Sequence, residues 1–256
     1  MTIGHTLIGS GKEKVIVLHG WLGDYAVWEP TFPSLDLETF TYAFMDCRGY
    51  GKSRHLSGQY TMKEIASDAI ALVKHLNWHA FHVVGHSMGG LAMQRLILDI
   101  DDPARVKSAV GIDPVPACGG QINPQTWPLF EGAVTKDENR YKILDFTTGN
   151  RNNAQWLHFM VERSRASTTE PAFAGYLNAW SKENFADEVK GMATPMLICL
   201  GEHDLAFPVE AIQSTFLTWL PNATLEMIAN AGHYPMQEAP VNLSTVMEHF
   251  LRQPRP

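Results

Sequence analysis

Phe81-His-Val-Val-Gly-His-Ser-Met-Gly-Gly90 is the stretch that decides the fold. An apolar, β-branched run enters Gly85-x-Ser87-x-Gly89, and a helical pattern leaves it through Leu91, Met93, Leu96 and Ile97. A serine nucleophile at a tight strand-to-helix turn needs small neighbours, because the backbone there is strained and crowded. Gly85 and Gly89 supply that room. The turn also sets Ser87 at a helix N-terminus, whose free N–H groups stabilise developing negative charge. A lone Gly-x-Ser-x-Gly can arise by chance; between a strand and a helix in a chain of alternating elements it marks a nucleophile. The plainer alternative is a serine that merely caps a helix.

On either side of this turn, short apolar runs recur at 14–18, 41–45, 109–112, 196–200 and 223–228, each followed by turn residues. Continuous runs of this length suit strands buried on both faces, as in a parallel sheet covered by helices. Helical patterns lie between them. Thr61-Met-Lys-Glu64 reads as a capping box in which each side chain satisfies the other residue's backbone N–H. Ile65, Ala69, Leu72, Val73 and Leu76 then fall on one helical face. The expectation is an α/β fold, with a mostly parallel central sheet flanked by helices and joined by right-handed crossovers.

The alternation breaks from about residue 113 to 187. Prolines cluster at 114, 116, 124 and 128, and two helical segments follow at 153–165 and 171–182. A helical insertion at 114–187 is expected between two parts of one core, 1–113 and 188–256. Its aromatics, among them Trp127, Phe130, Trp156, Phe159, Phe173, Tyr176 and Trp180, either pack against the core or line a pocket at the junction.

A hydroxyl is a poor nucleophile until a base takes its proton, and histidine suits that task near neutral pH. Eleven histidines make the count uninformative. Position selects His233, in Asn230-Ala-Gly-His-Tyr-Pro235, on a loop after the last expected strand and before a helix starting near Pro240. Loops after parallel strands gather at the carboxyl edge of the sheet, where Ser87 also sits. His5, His55, His75, His79, His82, His158 and His249 read as surface or packing residues. A carboxylate should hold the imidazole tautomer and stabilise its charged form. Asp204, in Leu200-Gly-Glu-His-Asp204, is the favoured candidate, and Asp113, in Gly111-Ile-Asp-Pro114, competes with it. The backbone N–H groups of Trp21, after the strand 14–18, and of Met88 are the expected oxyanion donors. His19 reads as a brace for its loop.

His19-Gly-Trp21, Asp46-Cys-Arg-Gly-Tyr-Gly-Lys-Ser53, Gly85-His-Ser-Met-Gly-Gly90, Gly201-Glu-His-Asp204 and Ala231-Gly-His-Tyr-Pro235 resemble, in order, the motifs of the α/β-hydrolase family. The resemblance covers nearly the whole chain and is nearest to the small capped carboxylesterases. It implies that the insertion is a helical cap over the nucleophile, that the triad is Ser87, Asp204 and His233, and that Asp46–Ser53 shapes the sheet edge without chemistry. Ser87 stands where the otherwise similar haloalkane dehalogenases and epoxide hydrolases carry an aspartate. Trp21 resembles the same position of the cofactor-free haloperoxidases. Fold similarity does not choose among these chemistries.

With 45% apolar and 18% charged residues the chain is globular, and a formal charge of −7 disfavours nucleic acid as a partner. Cys47, Cys118 and Cys199 are odd in number and far apart, without metal-ligand spacing, so neither a disulfide framework nor a metal is expected. No organic cofactor is implied. The N-terminal Met1-Thr-Ile-Gly-His-Thr-Leu-Ile8 lacks a signal-peptide pattern, and no apolar run reaches the roughly 18–20 residues that span a bilayer. A cytoplasmic location follows by default; the oligomeric state is not legible. The leading expectation is hydrolysis of a small carboxylic ester with an apolar acyl or alcohol group, through an acyl-enzyme. Lactones, thioesters, amides, peracids and C–C bonds are the other acyl chemistries, and a non-catalytic ligand receptor is the reading from a different class.

Overall fold

A computed structural model describes residues 2–253. Its strands are His5–Gly9 (β1), Glu13–Leu18 (β2), Phe40–Met45 (β3), Phe81–His86 (β4), Val106–Ile112 (β5), Met196–Gly201 (β6) and Ala223–Ile228 (β7). They form one sheet in the order β1-β3-β2-β4-β5-β6-β7. β1 runs antiparallel to β3 and every other pairing is parallel. The interior strands are the continuous apolar runs; every residue of β4 and of β6 is buried. β7, at the edge, is buried only in part.

β1 was not expected. Its five residues carry only Leu7 and Ile8 as large apolar groups, and Leu7 is 47% exposed. An edge strand is held mainly by its ladder to one neighbour, so it needs no apolar run that a sequence would display.

Met62–His75 (α1) starts where the capping pattern puts it, with Glu64 N–H donating to Thr61 Oγ1 at 3.1 Å. The reciprocal bond differs by one residue: Glu64 Oε2 accepts from Tyr60 N–H at 2.9 Å. Tyr60, at φ +56°, makes a left-handed turn just before the cap and presents its own N–H to the carboxylate. Met88–Asp99 (α2) leaves β4 through the Ser87 turn.

Between β5 and β6 run Trp127–Gly132 (α3), Asp137–Thr147 (α4), Ala154–Ser167 (α5), Glu170–Lys182 (α6) and Ala186–Val189 (α7). The segments read from sequence at 153–165 and 171–182 are α5 and α6. The other three were not anticipated, because α3 and α7 are six and four residues long and α4 is mostly polar. Val209–Ser214 (α8), Phe216–Trp219 (α9), Pro235–Glu238 (α10) and Pro240–Leu251 (α11) complete the chain. Among the described residues no helix is long and apolar enough to cross a membrane.

Since β2, β4, β5, β6 and β7 are mutually parallel, the loops after them emerge at one edge of the sheet. Those loops carry Trp21, Ser87, Asp113, Asp204 and His233.

Candidate active site

Ser87 has φ +52° and ψ −116°, a conformation that costs a side-chain-bearing residue about 1–3 kcal/mol. Surrounding bonds hold it there. Its N–H donates to the Ile112 carbonyl at 2.9 Å, and its own carbonyl accepts from Gly90 N–H at 2.9 Å and Val115 N–H at 3.0 Å. The glycines are required by contact: a Cβ on Gly85 would lie 2.4 Å from the Gly89 carbonyl oxygen, and one on Gly89 would lie 2.4 Å from that of Leu18.

Across the same edge, His233 Nδ1 donates to Asp204 Oδ2 at 2.7 Å. A proton on Nδ1 leaves Nε2 of the neutral ring as an acceptor. The histidine is held through its backbone too: its N–H donates to the Thr147 carbonyl at 3.1 Å, and its carbonyl accepts from His86 Nε2 at 2.8 Å. Phe207 stacks on the imidazole with centroids 5.7 Å apart. Asp204 Oδ1 accepts from Ala206 N–H at 2.7 Å, which fixes the carboxylate plane.

Of the two carboxylates weighed from sequence, Asp204 is the one that hydrogen-bonds the imidazole. Asp113 is nevertheless close by and fully buried. Its Oδ1 accepts from Gly201 N–H at 2.8 Å, while burial and the neighbouring Asp204 carboxylate push its carboxyl well above the usual range. Oxygens of Asp113 and Asp204 and a ring nitrogen of His233 lie within 4.8 Å of one another, the one such donor cluster among the described residues. The 2.7 Å between His233 Nδ1 and Asp204 Oδ2 is a hydrogen bond; two ligand atoms on one tetrahedral metal would stand about 3.3 Å apart.

The loop after β2 is built around His19. Cys47 N–H donates to His19 Nε2 at 3.0 Å, so the ring's proton is on Nδ1, which donates to the Gly20 carbonyl at 2.7 Å. In a trans peptide the N–H points opposite the carbonyl, so pinning Gly20 O aims the Trp21 N–H. The Trp21 carbonyl is pinned in turn by the Tyr50 hydroxyl at 3.0 Å. Met88 is the first residue of α2, so its N–H has no intrahelical carbonyl to donate to. Asp46 braces this edge: its Oδ1 accepts from Tyr25 N–H at 2.8 Å and its Oδ2 from Lys52 N–H at 2.9 Å.

Ser87 and His233 open into one cavity of about 460 Å³, walled by Trp21, Phe130, Trp180 and Phe207 among others. Among the described residues, no Asp, Glu, Lys or Arg lines it. Of the aromatics named in the 114–187 stretch, Phe130 and Trp180 line the cavity. Trp127 lies under Lys182 Nζ, 4.3 Å from its ring centroid, and Trp156 meets Tyr234 edge-on at 6.4 Å. Sequence reasoning also passed over His86. Its adjacency to Ser87 on the same turn was the available signal.

A family model described as alpha/beta hydrolase fold matches residues 14–139. The chain is 29% identical over 240 residues to a non-heme haloperoxidase of Rhodococcus erythropolis, covering 88% of this chain and 86% of that protein. It is 23% identical over 257 residues to carboxylesterase YbfK of Bacillus subtilis, covering 96% and 83%. An esterase from Exiguobacterium antarcticum superposes with a TM-score of 0.87 at 19% identity, over 98% of this chain and 96% of that one, a likeness of fold.

Proposed function

This chain belongs to the α/β-hydrolase superfamily and resembles its small carboxylesterases, and from that premise we propose that it cleaves uncharged carboxylic esters with Ser87, His233 and Asp204. The observation that carries the reading is the 2.7 Å bond from His233 Nδ1 to Asp204, on an imidazole that shares its cavity with Ser87. His233 Nε2 takes the Ser87 proton as Oγ attacks the ester carbonyl. The oxyanion rests on the N–H groups of Trp21 and Met88, and the imidazolium on Asp204. His233 then protonates the departing alkoxide, which leaves the acyl group on Ser87. A water molecule, deprotonated by His233, releases the acid and restores the serine.

A cavity of about 460 Å³ that no Asp, Glu, Lys or Arg among the described residues lines favours a neutral, apolar small molecule. Residues 114–187 serve as the cap, between core segments 1–113 and 188–256, because Phe130, Trp180 and Thr147 of that stretch line the cavity beside Ser87. A second reading, attack of hydrogen peroxide on the same acyl-enzyme to give a peracid, draws support from the likeness to a non-heme haloperoxidase.

The test is a panel of p-nitrophenyl esters of graded acyl length beside a lactone and a thioester, with and without peroxide. A burst of p-nitrophenol followed by steady turnover, and a stoichiometric fluorophosphonate adduct on Ser87, are the expected results. Binding of esters without turnover would leave a ligand receptor.

A further inference from the structure

Asp204 Oδ2 accepts from His233 Nδ1 and Oδ1 accepts from Ala206 N–H, so both oxygens of this carboxylate are occupied by donors. Asp113 has one donor, Gly201 N–H on Oδ1; its Oδ2 is buried and has no donor among the described residues. Oxygens of the two buried carboxylates lie within 4.8 Å of each other, and two ionised carboxylates so placed, walled off from water, would repel strongly. A single proton between them turns the repulsion into a bond, and it belongs on the oxygen that no donor serves.

We propose that Asp113 is a protonated carboxylic acid whose Oδ2–H donates to Asp204, making it a positioning residue for the Asp204–His233 pair. The carboxyl pair then holds one negative charge behind His233. The added donor fixes Asp204 with Oδ2 toward Nδ1 and spreads its charge. The ionisable groups facing Asp113 agree with a neutral state. Asp204 and Glu238 are acidic; Glu238 is itself held by Arg151 at 3.2 Å. Burial keeps the Cys199 thiol neutral, and His233 is engaged with Asp204. The backbone supports the placement, with Asp113 at φ +42° and its N–H on the Cys199 carbonyl at 2.9 Å.

The inference rests on reading Asp204 as the acid of the Ser87–His233 machinery, so its test includes a readout independent of turnover. Infrared difference spectra of wild type against Asp113→Asn at neutral pH should contain a protonated-carboxyl C=O band that the variant lacks. In activity, Asp113→Asn keeps an N–H donor for Asp204 and an acceptor for Gly201, so kcat should stay within about threefold of wild type. The acid limb of kcat/KM should shift by less than about 0.3 pH unit; loss of an ionised carboxylate so near His233 would lower it by about one unit or more. Asp113→Gly accepts the positive φ but removes the donor, and should lose about 10- to 100-fold in kcat with KM little changed. Absence of the Asp113-dependent band, or a unit drop in the acid limb of Asp113→Asn, overturns the proposal. Full esterase activity in Ser87→Ala would instead overturn the enzyme reading, leaving the infrared result to decide the proton.

Discussion

Trp21 stacks on Phe173 with ring centroids 4.0 Å apart and donates its indole N–H to the Phe173 carbonyl at 2.8 Å. This contact joins the loop after β2 to α6, in the helical stretch between β5 and β6. Arg140 of α4 closes the stack from the other side, its guanidinium carbon 3.8 Å from the Phe173 ring centroid. It is fixed by the Ala133 carbonyl at 2.9 Å and Ser164 Oγ at 2.7 Å, and burial lowers its pKa to about 10. The proposed oxyanion donor, the Trp21 N–H, is therefore positioned partly by helices that also wall the cavity.

Phe173→Ala should for that reason affect both stability and rate. Truncating a fully buried phenylalanine costs about 3–5 kcal/mol. Release of the Trp21 loop should lower kcat by about tenfold or more, given how steeply rate depends on placement. Trp21→Phe keeps the stack and loses one hydrogen bond, at about 0.5–1.5 kcal/mol. Urea denaturation and ester turnover measure the two effects. A stable-enough Phe173→Ala enzyme with unchanged kcat would disconnect α6 from the oxyanion site.

Ser87 gives a prediction with opposite signs for activity and stability. Ser87→Ala should fold normally and lose about 10⁴–10⁶ in kcat, since only binding and oxyanion stabilisation remain. Ser87→Gly should be equally inactive but more stable than Ser87→Ala by about 1 kcal/mol, because glycine adopts φ +52° without strain. Equal denaturation midpoints for the two variants would show that the turn relaxes once the hydroxyl is gone.

The five interior parallel strands, β2 to β6, were legible because each is an apolar run covered on both faces or nearly so, and burial writes itself into composition; β7, at the edge, is an apolar run buried only in part. The Ser87 turn was legible because crowding admits only glycine at 85 and 89. β1 and α4 were not: one is held by a ladder along the Phe40–Met45 strand and the other is mostly polar, so neither carries a periodic pattern. The bond between His233 and Asp204 follows from which loops meet at a sheet edge, which motif order indicates. The arrival of Asp113 beside Asp204 depends on β5 and β6 being hydrogen-bonded neighbours, a pairing no local pattern states. Among the tryptophans, composition could not separate Trp180, in the cavity wall, from Trp127, under a lysine.

That separation is measurable as specificity. Trp180→Ala and Phe130→Ala enlarge the cavity and should move the preferred acyl group toward longer chains, with about 1–3 kcal/mol of discrimination per methylene. Trp127→Ala, away from the cavity, should leave relative kcat/KM across the ester panel unchanged. The reverse pattern would mean that substrate enters on the α3 side, past Trp127.

His86 should make the protein less stable as pH falls. Its Nε2 donates to the His233 carbonyl at 2.8 Å and its Nδ1 has no partner among the described residues, so the ring is neutral. Burial foremost, and then the charge on His233, hold its pKa well below the ordinary value of 6.5. The unfolded chain takes up this proton below about pH 6.5 while the folded chain does not, so the unfolded state gains about 1.4 kcal/mol per pH unit from this group. Stability from His86 is thus complete above pH 6.5 and is lost as pH falls toward its folded pKa. Asp113, with its pKa raised, works the other way: its contribution is complete below about pH 4 and is lost as pH rises. Comparing variants isolates the histidine. His86→Gln retains a neutral N–H donor for the His233 carbonyl but cannot titrate, so its urea midpoint should fall less than wild type's between pH 7 and pH 5. At pH 5 the gap should approach about 2 kcal/mol. Parallel stability curves for the two proteins would show that His86 takes up its proton in the folded state, and that its bond to His233 survives the charge.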